Sequence, residues 1–396
     1  MMTPLAAPEP ATLAQILPDG SLPGGSGAGR LGFELAAVPY TAAWTWAGPD
    51  AGWDALVGAL PGGDLVQSTR WAASRVRLGF RAWRLVVAGP DGQMVGGCMV
   101  YATRLLPGCW IASVPRGPLV FGGGAGTAAV VRGLRLMARR LGIRLLAVQP
   151  PEGAAAVERA LAEEGFRPGG PAIAPEATIR LAVRRTDAEL LAGMSRRRRQ
   201  NIRKGLLAGF EVREEGDPET FHRLHRATAA RQGFSPVSLA NLEAQHAMLA
   251  PVGGCAALVA RYRGVPVAGR WLTRFGGTVT SKLAGWDARL PVPAHANEAV
   301  QWAALLWARR EGAETYDFGG FDRTAGEALL GRQEPPDGFP DSPNRFKTGF
   351  GGTLVLLPRA RFCLPDPLLD GAFGGLAARL LASAPARRVS QWLRNG

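Results

Sequence analysis

The spacing of apolar residues along the chain switches between a period of two, typical of strands, and a period near 3.6, typical of helices. Apolar runs predict strands over residues 83–88, 97–103, 110–114 and 144–149. Helical spacing predicts helices over residues 127–141 and 153–164. Residues 35–168 are therefore predicted to form a first α/β unit.

The same two periods continue in the second half of the chain. They predict strands over residues 177–183, 210–214, 256–262, 265–275, 279–286 and 315–318. They predict helices over residues 187–203, 218–232, 239–249 and 297–312. Both halves close with a helix, a glycine (Gly142 or Gly312) and a strand, and this indicates a duplicated domain.

These patterns divide the chain into four predicted segments. They are a disordered arm over residues 1–30, a domain over 31–172, a second domain over 173–357 and a C-terminal segment over 358–396. The arm is rich in Ala, Pro and Gly and almost free of aromatic residues. The C-terminal segment interleaves leucines with arginines, which predicts amphipathic helices that pack on the body, with membrane contact as the alternative.

Composition narrows the class of protein. The net charge of +14 would attract polyanions, but only three of the 46 basic residues are lysines. This bias is typical of a GC-rich genome, so it lowers the weight of the charge and draws attention to Lys204, Lys282 and Lys347.

The four cysteines lack metal-ligand spacing, and no third ligand joins His222 and His225, so no metal is expected. Neither a signal-peptide pattern nor a membrane-spanning apolar run is visible, which predicts a cytoplasmic protein, with peripheral contact at the inner membrane face as an option.

A basic cluster stands out between residues 196 and 204, where five arginines and one lysine occur within nine residues. On a helix, Arg199, Ile202 and Arg203 would share a face, because they lie three and four positions apart. Such a face could bind phosphate groups, or it could be an ordinary solvated surface.

Six phrases in chain order resemble the Fem-type aminoacyltransferases, which build peptidoglycan interpeptide bridges and so affect the cell wall and cell shape. The phrases are Asp-Leu-Val-Gln-Ser at 64–68 with Trp71 and Arg75, Val-Pro-Arg-Gly-Pro at 114–118, the basic cluster at 194–204, and the segments 296–302, 316–320 and 346–351. The resemblance covers roughly residues 60–360. It implies an α/β fold with mixed sheets, arranged as two tandem acetyltransferase (GNAT)-like domains.

The resemblance also implies a reaction. An amino acid on the 3′ end of a tRNA passes to an amine of a nucleotide- or lipid-linked cell-wall precursor, with aminoacyl-tRNA as co-substrate and no bound cofactor. Because the aminoacyl ester is already activated, no covalent nucleophile is needed, and the chain shows no Gly-x-Ser-x-Gly elbow. The reaction needs positioning, loss of an amine proton and a cation for the developing oxyanion.

Two residues are predicted to be catalytic. Lys347 lies in an apolar, glycine-rich phrase, and the resemblance implies that it polarises the ester carbonyl; a lysine extending from a strand end is the alternative. Asp317 ends a predicted strand before Gly319 and Gly320, so it could accept or orient the amine proton. A buried aspartate that caps the glycine turn is the alternative.

Further residues are predicted to bind substrates. Arg75 takes the position of a family lysine that contacts the precursor phosphates, while Gln67, Trp71 and Arg116 either line that site or stabilise local structure. Substrate phosphates or the tRNA acceptor end are predicted to contact Arg199, Arg203 and Lys204. Asn297 begins a helix, where it serves either substrate binding or N-capping.

Two departures from the family pattern leave alternatives open. No carboxylate follows the Arg-Gly-Pro phrase, so the general base is undefined. The pyrophosphate loop of coenzyme A-dependent acetyltransferases is not visible, which favours aminoacyl-tRNA over acyl-CoA as the donor. An acyl-CoA-dependent N-acyltransferase acting on a sugar amine or lipid precursor is the second hypothesis. A basic nucleic-acid-binding scaffold is the third, and stable DNA binding is not expected, because no aromatic-interleaved basic sheet is present.

Overall fold

The computed structural model describes residues 28–121, 123–169 and 172–381, which form two α/β units. Unit 1 contains the described residues up to Ala174 and from Pro358 onward, and unit 2 is Pro175–Leu357. The predicted disordered arm lies outside the described residues as far as residue 27. Its last two residues correct that prediction, because Gly29 and Arg30 pair with the next strand.

The elements up to residue 169 follow the predicted order, with additions near the start. The strands are β1 (Gly29–Leu35), β2 (Val38–Thr45), β3 (Arg81–Ala88), β4 (Met94–Leu106), β5 (Cys109–Pro115), β6 (Leu119–Val120), β7 (Ile143–Gln149) and β8 (Arg167–Pro168). The helices are α1 (Ala51–Ala59), a 3-10 turn (Leu65–Gln67), α2 (Thr69–Val76), α3 (Gly124–Arg140) and α4 (Ala155–Glu163).

The second group of elements forms unit 2. Its strands are β9 (Ala177–Ala182), β10 (Glu211–Glu215), β11 (Cys255–Tyr262), β12 (Val265–Phe275), β13 (Thr278–Trp286), β14 (Thr315–Gly320) and β15 (Thr353–Leu356). Its helices are α5 (Asp187–Ala192), α6 (Arg196–Leu207), α7 (Pro218–Gln232), α8 (Leu239–Leu249), α9 (Ala296–Arg310), α10 (Arg323–Leu330) and α11 (Pro343–Thr348), with 3-10 turns at Ala250–Val252 and Phe339–Asp341.

After unit 2 the chain returns to unit 1. Strand β16 (Arg361–Cys363) pairs antiparallel with β7 and β8, and helix α12 (Pro367–Leu381) follows. The helix attaches through Asp370, which pairs with Arg167 at 2.5 Å. Its apolar residues Leu368, Phe373 and Leu376 are exposed and Leu369 is half-buried, and the packing of this segment through an apolar face stays a prediction. Trp392 and Leu393 lie outside the described residues.

Each unit contains one mixed sheet with a single parallel pair along its path. The strand order is β1-β2-β3-β4-β5-β7-β16-β8 in unit 1, with β6 beside β4, and β10-β11-β12-β13-β14-β9-β15 in unit 2. The parallel pairs are β5–β7 and β13–β14, and each is formed across a helix. Gly142 and Gly312 end those helices with φ of 68° and 76°, values that favour glycine. The predicted duplicated α/β domain with mixed sheets is confirmed.

One predicted helix is divided in the structure. The prediction over residues 187–203 becomes α5 and α6, because Ser195 caps a new helix by accepting a hydrogen bond from the Arg198 amide. On α6, Ile202 is buried against the core of unit 2. Among the described residues, no helix is both long and apolar enough to cross a bilayer.

Candidate active site

Several polar and charged side chains of unit 2 surround a pocket of about 520 Å³. Its walls include His225 and Thr228 of α7, Ser281 and Lys282 of β13, Gln301 of α9 and Lys347 of α11. Two of the three lysines of the chain therefore line one pocket. Arg231 and Arg270 also line it, so the pocket is strongly cationic.

Lys347 is carried by a short helix and not by a strand end. Ser342 caps that helix by accepting from the Arg345 amide at 3.3 Å, and Pro343 occupies its first turn. The Lys347 ammonium donates to the carbonyl of Gly320 and lies 3.4 Å from that of Gly319. Burial lowers the pKa of Lys347 to about 8, with Asp317 opposing and Arg270 reinforcing the shift. The pocket wall thus holds a half-buried ammonium whose pKa is about 8, because burial disfavours the charged form.

Asp317 is buried directly behind this wall and does not line the pocket. Its Oδ1 accepts from the Gly319 amide at 2.8 Å and from the Thr178 hydroxyl, and its Oδ2 accepts from Arg180 Nε at 3.1 Å. This is the arrangement of a carboxylate that caps the glycine turn. In this conformation Asp317 acts on Lys347 through its charge, and its role as proton acceptor stays a prediction.

Arg270 is a second buried cation that the sequence analysis missed. It lies in the middle of β12, and its Nε donates to Gln301 Oε1 at 2.9 Å. Gln301 in turn donates to the Tyr316 hydroxyl at 2.7 Å, so a buried hydrogen-bonded chain leads away from the pocket. Burial lowers the pKa of Arg270. An arginine inside a predicted apolar strand is the signal that could have identified it.

Arg198 was also missed, although it lies within the basic cluster. Its Nη1 pairs with Glu298 at 2.5 Å, and its Nη2 donates to the Phe346 carbonyl at 3.1 Å. The guanidinium also lies 4.1 Å from the centre of the Phe346 ring and 4.7 Å from that of Phe350. Arg198 therefore holds the residue that precedes Lys347.

A second pocket of about 400 Å³ shares Trp286, Asn297 and Phe346 with the first. Asn297 is half-buried on the first turn of α9 and lines both pockets, whereas His295 is the residue before the helix. Arg197 lines the second pocket from α6. Asn297 thus lies at the start of the helix as predicted, but His295 occupies the N-cap position, so the alternative role of Asn297 as N-cap is wrong.

The other predicted residues of the basic cluster lie elsewhere. Arg199 donates to the Met194 carbonyl at 2.5 Å and so stabilises the turn before its own helix. Arg203 and Lys204 are exposed and line neither of these two pockets. The structure does not bring these three residues together with Lys347, and their substrate contacts stay predictions.

In unit 1, the side chain of Gln67 has no exposed surface. Its Nε2 donates to the Pro115 carbonyl at 2.7 Å and its Oε1 accepts from the Met99 amide at 2.8 Å. Both ends of the amide are therefore used inside the fold. The predicted substrate contact is corrected to a structural role, because a buried, satisfied amide offers no surface to a ligand.

Arg75 and Arg116 are likewise buried, with 4% and 7% of their surfaces exposed. Arg75 lies 4.1 Å from the centre of the Phe80 ring, and burial lowers its pKa to about 10. Arg116 has a φ of 55° and lies 3.9 Å from Asp64. In this conformation neither guanidinium is placed to meet a phosphate from solvent. Trp71 is half-buried on the first turn of α2.

A metal site receives no support from the part of the chain that the structure describes, where no three His, Cys, Asp or Glu residues cluster. His225 instead links backbone segments: its Nδ1 lies 2.9 Å from the Ala284 carbonyl, and its Nε2 accepts from the Val237 amide at 3.3 Å.

Comparison with known proteins finds relatives in sequence and in fold. Residues 173–328 match the family model of an acetyltransferase (GNAT) domain. Lipid II:glycine glycyltransferase of Staphylococcus aureus is 30% identical over 197 residues, which is 46% of this chain and 46% of that protein. The chain thus matches about half the length of these curated relatives. The crystal structure of FemX superposes with a TM-score of 0.68 at 20% identity, covering 80% of this chain and 96% of FemX.

The GNAT match covers most of unit 2, including β9, α9 and β14 but not α11. The named relatives are transferases. The predicted resemblance is therefore confirmed: the chain is similar to a lipid II:glycine glycyltransferase over about half its length, matches a GNAT domain model within unit 2 and has the fold of FemX.

Proposed function

We propose that this protein is a Fem-type aminoacyltransferase that moves an activated acyl group onto an amine of a lipid-linked cell-wall precursor. The observation that carries the proposal is the Lys347 ammonium at the wall of a pocket in the unit that contains the GNAT domain. The homology to a lipid II:glycine glycyltransferase supports the lipid-linked acceptor. A nucleotide-linked precursor is the alternative acceptor.

The chemistry follows from an ester donor. The acceptor nitrogen attacks the ester carbonyl, a C–N bond forms, and the C–O bond to the tRNA 3′ oxygen breaks. The amine loses one proton, and the departing 3′ oxygen takes one up. Negative charge develops on the carbonyl oxygen, and the Lys347 ammonium stabilises it. Because the ester is activated, the protein contributes positioning and charge without forming a covalent intermediate.

The pocket also favours a neutral acceptor amine. Four cations line it, namely Arg231, Arg270, Lys282 and Lys347, and no carboxylate is among the described residues of its lining. A positive surrounding lowers the pKa of a bound amine, because it disfavours the ammonium form. The acceptor would therefore enter ready to attack, and water or the departing 3′ oxygen could receive its proton. This removes the need for Asp317 as a base.

The donor is proposed to be aminoacyl-tRNA, because the named relative transfers glycine and an ester needs no acyl-CoA loop. Acyl-CoA is the second candidate, and the match to an acetyltransferase domain model is the observation that favours it. Neither donor is a resident cofactor.

The test supplies both donors in parallel. The protein is incubated with charged total tRNA or with acetyl-CoA, each with lipid II or the nucleotide-linked muropeptide, and products are measured by mass spectrometry. We expect the acceptor to gain the mass of an amino acid from tRNA only. Transfer from acetyl-CoA alone would establish the second candidate. No transfer from either donor would refute an acyltransferase acting on these acceptors.

A further inference from the structure

The outer face of α6 combines positive charge with exposed apolar residues. Arg196, Arg203 and Lys204 are exposed, and none of them forms an ion pair with any described residue. At the end of the same helix, Leu206 and Leu207 are 56% and 87% exposed. The helix therefore presents exposed cations and two exposed leucines on one surface.

The orientation of this helix is fixed by its inner face. Ile202 is 1% exposed and belongs to the core of unit 2. A Cβ at Gly205 would lie 2.8 Å from the His295 carbonyl oxygen, so the helix approaches the start of α9 closely. Arg198 adds the ion pair to Glu298 on the same side. The cations and leucines therefore face outward because packing holds the opposite side, and they are presented together.

We propose that this outer face of α6 is a membrane-docking surface that binds an anionic bilayer. The cations match the phosphates of anionic lipids, and the two leucines can enter the boundary between headgroups and acyl chains. RNA would neutralise the same cations but would leave both leucines in water. A bilayer contacts both the cations and the leucines of this face, so the observations favour lipid over RNA.

The test measures binding of the full chain to vesicles by co-sedimentation. Phosphatidylcholine vesicles are compared with vesicles of phosphatidylcholine and phosphatidylglycerol in equal parts, at low and high salt. We expect binding to the anionic vesicles only, and weaker binding at high salt. This experiment measures binding and not turnover, so it can fail or succeed independently of the proposed acyl transfer.

Two variants separate the contributions of charge and apolar contact. R203Q/K204Q removes two cations and should weaken binding about 25-fold, since each cation near an anionic surface contributes roughly a factor of five. L206S/L207S keeps every charge and should weaken binding at least about tenfold. The matched control is L105S/L106S, which alters another exposed leucine pair, 49% and 64% exposed, at the end of β4 in unit 1. It should bind as the wild type does.

Three results would overturn the proposal. One is equal binding of the wild type to neutral and anionic vesicles, or no binding to either. Another is unchanged binding of L206S/L207S, or an equal loss in the L105S/L106S control. The third comes from a parallel measurement of binding to total tRNA. If R203Q/K204Q loses RNA binding while both variants keep vesicle binding, this face binds RNA and not a bilayer.

Discussion

Replacing Arg198 by Met should loosen unit 2 around the helix that carries Lys347. The substitution removes the ion pair to Glu298, the hydrogen bond to the Phe346 carbonyl and the contacts with two aromatic rings. The two charged side chains are only 12% and 11% exposed, so solvent replaces little of what is lost. Breaking a buried pair from one side costs about 3–5 kcal/mol.

The lower end of that range applies here, because Glu298 keeps other partners. It still accepts from Asn201 Nδ2 at 3.0 Å and lies 3.8 Å from His295 Nδ1. We therefore expect the free energy of unfolding of unit 2 to fall by about 3 kcal/mol. For a domain of this size, that loss lowers the unfolding midpoint by about 6–12 °C.

The assay is thermal and denaturant unfolding of R198M, E298M and the double variant. The double variant should lose about 1–3 kcal/mol less than the sum of the single losses, because each single variant leaves one charge buried without its partner. R199M is the matched control, since Arg199 contacts only the nearby Met194 carbonyl in the interactions described. Additive losses, or a loss below about 1 kcal/mol in R198M, would show that the Arg198–Glu298 pair does not stabilise unit 2 as proposed.

Three further predictions concern Lys347 and Gln67. The value of kcat/KM should fall as pH rises through about 8, because Lys347 then loses its proton. In a pH-rate profile, K347R should move that fall above about pH 10, because arginine keeps its proton. An unmoved profile would show that another group causes the fall. The pKa of Lys347 is lowered on folding, so between pH 8 and its ordinary value of 10.5 the unfolded chain binds a proton that the folded chain lacks. Denaturant titrations should therefore show a rise in stability across that pH window, and K347M should abolish the rise. Q67A should destabilise unit 1 by about 2–4 kcal/mol, because the Met99 amide and the Pro115 carbonyl lose their partner; a thermal melt of Q67A equal to that of the wild type would contradict this.

The sequence predicted best those elements whose ends carry their own signals. Helices α7 and α8 begin and end where the prediction placed them, because Asp217 and Ser238 cap regular amphipathic runs. The duplicated closing element was visible for a similar reason, since a glycine follows each helix in the same position. Local chemistry is sufficient where an element starts and stops through neighbouring residues.

Elements that depend on distant partners were harder to predict. The hairpin of β1 and β2 begins within the predicted arm, where Gly29 and Arg30 carry no local strand signal and join the sheet only through pairing with Trp44 and Ala43. Helix α11 has six residues, too few to show a helical period, so Lys347 was not expected on a helix.

The same distinction separates the site residues. Lys347 was identified through its surrounding phrase, whereas Arg198 contacts residues 100 and 148 positions away in the sequence. Arg75 was predicted as a ligand contact, and Gln67 as either a ligand contact or a local stabiliser, because the phrase around them identifies positions and not burial. The motifs therefore indicated which segments contain candidate site residues, but the fold decides which of their side chains reach the pocket.

The most direct test of the central claim is the rate of acyl transfer in K347M, measured in a single turnover with the donor that the wild type uses. Both proteins are compared at pH 7 with saturating acceptor, after unfolding measurements show that the variant is folded. If the Lys347 ammonium stabilises the oxyanion, K347M should react about 10²–10³-fold more slowly. A rate within a few-fold of the wild type would show that the charge at this pocket does not support the reaction.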